Sequence, residues 1–420
     1  MKTISHLRLK ILGVVLIVIV GLIGLYFFLP QAPIKIGILH SLTGSLALSE
    51  KPIIDAELMA IDEINAAGGL LKRKIVPIIV DGKSDEAIFA QEAQRLIEKE
   101  KVAMIIGCWS SSSRKMVQPI VEKFDSILIY PVSYEGLEES KNILNTGATQ
   151  NQQIVPAVLW SLYNLGKRFF LAGSENIFSH MTNEIIKVTL ASTDAQIVGQ
   201  NYLLVGSTTA SSTIDAIIKA QPEVIINTLH GVTNLAFFKE LRARGITPEK
   251  IPVMTISSVS EVEFSHIGSD AMAGDYVTAN YFQSIDREEN TTFVTNYKKK
   301  YGQDRVVSES EEAAYVGIYF WADAVREAHT SEPSKVKNHL FNRVFNGPSG
   351  IMYTDNHILN TWKMIYVGKL RSDGQFTIVW GSQKQVQPVN FPPFLQPEKW
   401  EHLMNEFYEL WGNRWSKIAG

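Results

Sequence analysis

Between residues 34 and 256 the chain alternates short apolar runs with amphipathic segments, and this alternation constrains the fold more than any other feature. Runs rich in Ile and Val predict strands that are buried on both faces, and the amphipathic segments between them predict helices. Strands separated by helices in this way form parallel sheets that are covered on both sides. The predicted strands are 34–39, 75–80, 103–106, 127–129, 169–172, 197–204, 224–227 and 253–256, and the predicted helices are 49–67, 86–99, 114–124, 182–190, 214–220 and 234–244.

Strands and helices in this number could close into one barrel or divide between two doubly wound lobes. A polar stretch at 140–155 interrupts the alternation near the middle of the chain, and a mostly helical region at 309–341 interrupts it again. The chain then becomes β, with predicted strands at 351–353, 362–370 and 376–380 and a hairpin turn at 372–374. These interruptions favour an α/β fold with two doubly wound parallel-sheet lobes.

Residues 11–29 carry no charged or strongly polar side chain, and they follow Lys2, Arg8 and Lys10. A helix of this length reaches about 28 Å, close to the thickness of the hydrocarbon core of a bilayer. The basic flank should stay in the cytoplasm, which places the body of the chain outside. We therefore predict an uncleaved transmembrane signal anchor. A cleaved signal peptide is the alternative, although the sequence after Leu29 is a poor cleavage site.

The composition excludes several classes of protein. The chain has 420 residues, a single cysteine and a formal net charge of −3. One cysteine cannot build a disulfide framework or a cysteine-based zinc cluster, and its position at Cys108 excludes a lipoprotein anchor. The near-neutral charge balance gives no electrostatic basis for binding nucleic acid. Because no activating partner is evident, we interpret Cys108 as a partly buried structural thiol.

The loops after the predicted strands carry hydroxyl, amide and aromatic side chains. Ligands of open parallel sheets bind outside the carboxyl ends of the strands, so these loops are the expected site. Each Ser or Thr could instead cap the following helix, but the composition that the loops share favours a pocket for a small, largely uncharged polar ligand. The candidate ligand-binding residues are Ser41, Thr43, Trp109, Ser111, Tyr130, Val132, Tyr134, Glu135, Asn176, Phe178, His230 and Ser257.

The common catalytic and cofactor motifs are missing from the sequence. There is no Gly-x-Ser-x-Gly elbow, no His-Glu-x-x-His helix and no Gly-x-Gly-x-x-Gly after a strand. The residues at 82–84 resemble the end of a phosphate-binding loop, but the earlier glycine is absent. His40, His230 and His357 have no metal-ligand spacing, so we predict loop or capping roles for them. The prediction is a protein that is not an enzyme and has no metal or cofactor.

Several motifs, in order along residues 34–385, are similar to those of the extracytoplasmic urea- and amide-binding proteins. They read IGILHSLTG at 36–44, GCW at 107–109, YPVSYEG at 130–136, YFQSID at 281–286, EAAY at 312–315 and NH at 356–357. That family belongs with the branched-chain amino-acid type of periplasmic binding protein, which includes a cytoplasmic amide sensor. The resemblance implies a type I periplasmic-binding-protein fold, in which two lobes joined by three crossovers close over a ligand.

The resemblance also implies roles for individual residues. The amide pocket of the first lobe would use Trp109, Ser111, Tyr130 and Val132, and the valine stands where the amide sensor has a threonine. In the second lobe the family often reads Asp-Tyr-x-Tyr-Pro-Arg, whereas this chain has Glu-Asn-Ile-Phe-Ser-His at 175–180. Urea or a short amide is the predicted ligand, and an amino acid or another small polar metabolite is the alternative.

The pattern and the resemblance together give a domain plan. Residues 1–33 form the basic stub and the anchor, residues 34–150 with 284–345 form one lobe, and residues 151–283 with 346–395 form the other. Residues 396–420 form a C-terminal amphipathic helix, because its aromatic and aliphatic residues recur three and four positions apart. Packing of this helix on its own domain, contact with a membrane interface and docking to a partner are the alternatives.

The predicted function is capture of a small polar ligand for an ABC importer, by a protein that is anchored in the membrane with its body on the periplasmic or extracellular side. The permease of the importer is the expected protein partner. The main alternative is a sensing subunit that signals its closure to a membrane receptor or kinase. A secreted hydrolase on a related scaffold is a third possibility, and it would depend on Ser111.

Overall fold

The first of two large sheets contains the N-terminal strands. The computed structural model describes residues 32–256, 268 and 272–417. Within them, strands β1 (Ile34–His40), β2 (Ile75–Asp81), β3 (Ile105–Gly107), β4 (Leu128–Tyr130) and β5 (Ile143–Asn145) form a parallel sheet in the order β2-β1-β3-β4-β5. The helices between them are α1 (Ala47–Ala66), α2 (Glu86–Arg95) and α3 (Ser111–Lys123), and α2 continues into a π-helical turn at Leu96–Glu100. We call this unit the first lobe.

The second large sheet repeats the same strand order. Strands β6 (Arg168–Ser174), β7 (Gln196–Leu203), β8 (Val224–Thr228), β9 (Val253–Thr255) and β10 (Tyr276–Ala279) run parallel in the order β7-β6-β8-β9-β10. Its helices are α4 (Ile154–Asn164), α5 (Ile177–Leu190), α6 (Ser211–Ala220) and α7 (Gly231–Ala243). This unit is the second lobe, and in both lobes the strand order reverses beside the first strand.

The chain passes between the two lobes three times, after β5, after β10 and after β13. Helices α8 (Glu288–Tyr301), α9 (Glu309–Ala328) and α10 (Pro333–Val336) lead into a small antiparallel sheet of β11 (Val344–Gly347), β12 (Gly350–Thr354) and β13 (Thr361–Trp362). Strands β14 (Tyr366–Leu370) and β15 (Phe376–Gly381) then extend the second sheet in antiparallel fashion beside β10. Helix α11 (Pro397–Leu410) follows.

Apolar side chains on the strands form the cores of the lobes. Ile36 and Ile38 of β1 are fully buried in a cluster that also includes Trp321 of α9. Phe169 and Ile226 of the second sheet are buried in another cluster. The prediction that the Ile- and Val-rich runs are strands covered on both faces is confirmed for β1, β6 and β8, whereas the edge strands β2 and β7 are partly exposed.

The structure corrects two details of the sequence interpretation. The polar stretch at 140–155 contains strand β5, whose position at the sheet edge accommodates Asn145, because the amide of this side chain is paired with Asn360 at 2.8 Å. The strand predicted at 362–370 is two strands in different sheets, β13 and β14, because the chain makes its third crossing between them. Strands β10 and β11 and helices α4 and α8 were not predicted.

The structure leaves two of the sequence predictions untested, namely the membrane anchor and the exact lobe boundaries. The predicted anchor at 11–29 lies outside the described residues. Among residues 32–256, 268 and 272–417, no helix combines the length and the apolar character needed to cross a membrane. The exact lobe boundaries of the domain plan remain a prediction.

Candidate functional site

A cavity of about 180 Å³ lies between the carboxyl ends of the two parallel sheets. Trp109 follows β3 on the first lobe, whereas Asn176 follows β6 and His230 follows β8 on the second lobe, and all three line the cavity. These strands flank the points where the strand order reverses, which is where open α/β sheets bind ligands. The repeated strand order therefore gives each lobe one half of the site.

Trp109 is held in place by the backbone that precedes it. Gly107 and Cys108 both have positive φ angles, +142° and +60°, so the chain turns sharply at the end of β3. A side chain at Gly107 would lie 2.0 Å from the carbonyl oxygen of Leu39. Beyond this turn the carbonyl of Trp109 accepts a 2.7 Å hydrogen bond from the hydroxyl of Tyr130. The indole is buried.

Asn176 and His230 form a fixed pair on the second lobe. The side-chain oxygen of Asn176 accepts a hydrogen bond from the amide of Ser179 at 2.9 Å and so caps α5. Its amide nitrogen lies 3.0 Å from Nδ1 of His230, which makes Nδ1 the acceptor and leaves the hydrogen on Nε2. Burial lowers the pKa of His230 to about 3, so the ring is neutral at physiological pH. It meets the Trp109 ring edge to face at 5.1 Å.

The start of α3 supplies hydroxyl groups to the first-lobe side of the cavity. Ser110 is the N-cap of this helix, and its hydroxyl accepts from the amide of Ser113 at 3.0 Å. The hydroxyl of Ser112 donates to the carbonyl of Trp415 at 3.0 Å. These three serines, which we name the α3 serines, line the cavity together. Ser110 therefore both caps the helix and lines the cavity.

Charged side chains also line the cavity, and they lie in pairs of opposite sign. Arg414 lies 3.7 Å from the carboxylate of Asp85 and 3.5 Å from that of Glu86. Lys417 lies 3.6 Å from the carboxylate of Glu175. Burial raises the pKa of Glu86, and hydrogen bonds from the C-terminal segment act in the opposite direction. The cavity thus carries little net charge.

Most of the predicted first-lobe residues form a buried network behind Trp109. The Ser111 hydroxyl donates to Glu135 at 2.5 Å, and the Arg114 guanidinium donates to Ser111 at 3.1 Å and to Glu135 at 3.2 Å. The same guanidinium lies 4.7 Å from the ring centre of Tyr130 and 4.5 Å from that of Tyr134. Because both charges and the hydroxyl are already paired, this network stiffens the wall of the cavity.

Ser41 and Thr43 are bound into the loop after β1. The Ser41 hydroxyl accepts from the amide of Ser84 at 2.9 Å, and the Thr43 hydroxyl donates to Asp81 at 2.7 Å. His40, for which we predicted a loop or capping role, is instead buried between two glutamates of α1. Cys108 is buried, and burial raises the pKa of its thiol, which confirms its interpretation as a structural residue.

The structure therefore brings three of the predicted residues, Trp109, Asn176 and His230, to the wall of the cavity. The ring of Phe178 lies behind His230, with ring centres 5.2 Å apart, and Val132 is buried in the first-lobe core. Ser257 lies outside the described residues. Direct ligand contact by any predicted residue remains a prediction.

The C-terminal segment also contributes to the cavity, and no sequence pattern predicted this. Arg414, Ser416 and Lys417 line it together with Asp85 and Glu86. No motif marks these residues, and 330 positions separate Ser416 from Glu86, so only the folded chain brings them together. Among the described residues, no group of three or more His, Cys, Asp or Glu side chains is arranged to hold a metal ion.

Two lobes of the same α/β plan, with a small cavity at both of their switch points, are the hallmark of a protein that captures a solute between its lobes. Residues 34–397 match the family model described as periplasmic binding protein domain, and the chain belongs to this family. This membership confirms the predicted solute-binding class and the prediction that the protein is not an enzyme.

Curated relatives match short segments of the chain. A limonene hydroxylase of Geobacillus stearothermophilus is 38% identical over 130 residues, which are 31% of this chain and 23% of that protein. A Leu/Ile/Val-binding protein homolog 7 of Brucella abortus is 40% identical over 81 residues, which are 19% of this chain and 20% of that protein. The chain thus spans less than a quarter of the length of either relative.

Solved structures share the fold over most of the chain. A solute binding protein of an ABC transporter from Rhodopseudomonas palustris, in complex with 3,4-dihydroxy benzoic acid, has a TM-score of 0.77 at 19% identity, covering 85% of this chain and 99% of its own. A branched-chain amino acid transporter substrate binding protein from Streptococcus pneumoniae, in complex with isoleucine, has a TM-score of 0.73 at 20% identity, covering 85% and 100%. The type I periplasmic binding fold expected from the resemblance is confirmed.

Proposed function

We propose that this protein captures a small, uncharged polar solute, urea or a short amide, and delivers it to an ABC importer. The observation that carries the proposal is the cavity at the two switch points, where Trp109 of one lobe meets His230 of the other. An amide has a carbonyl that accepts hydrogen bonds and an NH2 group that donates them. The cavity wall offers both kinds of partner together with an aromatic face.

The donors and acceptors of the wall have fixed positions. Since Nδ1 of His230 accepts from Asn176, Nε2–H is the donor that the ring can offer to a ligand carbonyl. The carboxylates of Asp85 and Glu86 can accept hydrogen bonds from an NH2 group. The charged groups of the wall already lie in pairs, so a neutral ligand can be buried without leaving a charge uncompensated.

Delivery to an importer would use closure of the two lobes as the signal. The three crossings leave the lobes connected only by short segments, and hinge closure around a ligand is the usual motion of such an architecture. A membrane anchor at residues 11–29 would hold the body outside the membrane and close to the permease. Because a sensing subunit could use the same anchor, the anchor does not distinguish transport from sensing. Uptake of labelled acetamide by cells, lost on deletion of this chain, would favour transport over sensing.

Ligand binding is tested by calorimetric titration of the purified full chain with urea and acetamide, and with isoleucine and 4-hydroxybenzoate as carboxylate ligands. We expect heat from urea or acetamide, and we expect Trp109→Ala to weaken that binding about ten-fold or more. Trp380→Ala is the matched control, because Trp380 is 39% exposed on β15. Binding of isoleucine or 4-hydroxybenzoate, without binding of urea or acetamide, would refute the amide assignment.

A further inference from the structure

The C-terminal helix α11 is fixed to the second lobe. Trp400 is fully buried, and Met404 is buried beside it in the core cluster of that lobe. The rings of Phe407 and Trp411 lie 4.5 Å and 5.1 Å from the imidazole of His180 on α5. Of the three alternatives for this helix, the structure shows packing on its own domain. The segment that follows, residues 411–417, is named the strap below.

The strap runs on from α11 along the second-lobe side of the cleft. The amide of Ile177 donates to the carbonyl of Trp415 at 2.9 Å, and the amide of Lys417 donates to the carbonyl of Glu175 at 2.9 Å. Ser416 forms an antiparallel bridge with Asn176, one of the cavity residues. These contacts are made by the backbone, and they continue the attachment that begins with α11.

The same strap reaches across the cleft to the first lobe. The amide of Trp415 donates to Glu86 at 3.0 Å, and the hydroxyl of Ser416 donates to the other oxygen of that carboxylate at 2.9 Å. The hydroxyl of Ser112 donates to the carbonyl of Trp415 at 3.0 Å, and the ammonium of Lys115 lies 5.1 Å from the Trp415 ring centre. One carbonyl oxygen, that of Trp415, thus accepts from both lobes.

The strap also forms part of the cavity wall. Arg414, Ser416 and Lys417 line the cavity. The Nε atom of Arg414 is buried without a hydrogen-bond partner in the described part of the chain, although it lies 3.5 Å from Glu86. Glu86 is only 5% exposed, and the strap supplies two hydrogen bonds to its carboxylate.

We propose that the strap latches the cleft in its closed form and that Arg414 is a ligand-facing residue of the closed site. Because α11 and the backbone bonds hold the strap to the second lobe, opening releases its contacts with Glu86 and Ser112 and leaves those with Glu175 and Ile177 intact. The strap therefore controls ligand exchange. This inference rests on the proposed capture of a ligand in the cleft, and it names the part of the chain that regulates that capture.

The latch is tested first without a ligand, by hydrogen exchange of individual backbone amides in the full chain. We expect Glu86→Ala to speed exchange at Trp415 about ten-fold or more, because its acceptor is lost. The amide of Lys417 should keep its protection, because its acceptor is a carbonyl of the second lobe. Glu92→Ala is the matched control on the same helix, since Glu92 pairs with Arg95 at 2.6 Å and does not touch the strap. The amides of α2 report whether each variant is folded.

Ligand exchange is tested next by stopped-flow tryptophan fluorescence with acetamide. We expect Ser416→Ala, which removes a hydrogen bond from the strap to Glu86 but keeps the carboxylate, to raise the dissociation rate of acetamide several-fold, and Glu92→Ala to leave it unchanged. Arg414→Gln should weaken acetamide binding, and Arg371→Gln is its control, because Arg371 is an exposed residue paired with Asp373.

The outcomes separate the two proposals. Absence of acetamide binding with fast exchange at Trp415 in Glu86→Ala would refute the proposed ligand and support the latch. Acetamide binding with unchanged exchange at Trp415 would overturn the latch and leave the proposed function standing. Equal loss of protection at Trp415 and Lys417 would overturn the claim that the strap stays with the second lobe.

Discussion

Replacement of His40 by glutamine should remove a buried cation that joins β1 to α1. His40 Nδ1 lies 3.1 Å from Glu50 and Nε2 lies 3.0 Å from Glu57, and all three side chains are fully buried. Burial alone would lower the pKa of His40, but the charges and hydrogen bonds of Glu57 and Glu50 raise it to about 10. The ring is therefore an imidazolium at neutral pH, held between two carboxylates.

The size of the effect follows from this pKa. A rise from 6.5 to about 10 corresponds to about 5 kcal/mol of unfolding free energy. This stabilisation is fully present below pH 6.5, the pKa of the unfolded chain, and it is lost as the pH rises through 10. Burial raises the pKa of Glu57, which offsets part of the gain. We expect His40→Gln to lower the unfolding free energy by about 3–5 kcal/mol at neutral pH, because it leaves buried carboxylates without a cation.

The assay is equilibrium unfolding of the full chain in urea, followed by tryptophan fluorescence at several pH values. The loss caused by His40→Gln should be full below pH 6.5 and should shrink as the pH rises through 10, because the wild-type ring also loses its charge there. The double variant His40→Gln/Glu57→Gln is the control and should recover part of the loss. A loss below about 1 kcal/mol, or one that does not change with pH, would refute the reasoning.

Three further predictions concern stability, and each is measured by the free energy of unfolding in urea. Trp400→Ala should cost about 3–5 kcal/mol, because the indole is fully buried in the second-lobe core; a loss no larger than that of an exposed tryptophan would contradict this. Gly107→Ala should cost more than about 1 kcal/mol, because its Cβ would lie 2.0 Å from the carbonyl oxygen of Leu39 at a φ of +142°, and a wild-type midpoint would argue against it. Burial alone would raise the pKa of Glu138, but Arg114 contributes most to lowering it to about 2. About 3 kcal/mol of unfolding free energy should therefore be lost as the pH falls from 4.5 to 2, and Glu138→Gln should reduce this pH dependence.

The sequence was sufficient to predict the strands that carry Ile and Val on both faces. The runs that became β1, β6 and β8 have no competing pattern, because both faces of these strands are buried. Strand β5 was missed because an edge strand can carry polar residues, and β10 because its sequence, Tyr-Val-Thr-Ala, is not a run rich in Ile and Val.

Only those site residues that come directly after a strand could be predicted from the sequence. Trp109, Asn176 and His230 each come shortly after a predicted strand, so the rule for parallel sheets was enough to select them. The sequence could not show that the hydroxyl of Ser111 is bound by Glu135 and Arg114, because that depends on packing. Nor could it show the contact of Glu86 with Trp415, because these residues are 329 positions apart.

The three crossings also determine how late in synthesis the core of the first lobe can be completed. Helix α9 packs against α1, and the hydroxyl of Tyr315 donates to the carboxylate of Glu63, 252 positions earlier in the chain. The strands of the first sheet are therefore synthesised long before helix α9, which covers them. Until α9 has been synthesised, the apolar surface of these strands stays uncovered. Contacts of such long range slow folding and favour aggregation. A chain that crossed a membrane before folding would gain from this delay, because its polypeptide would still be unfolded at that stage.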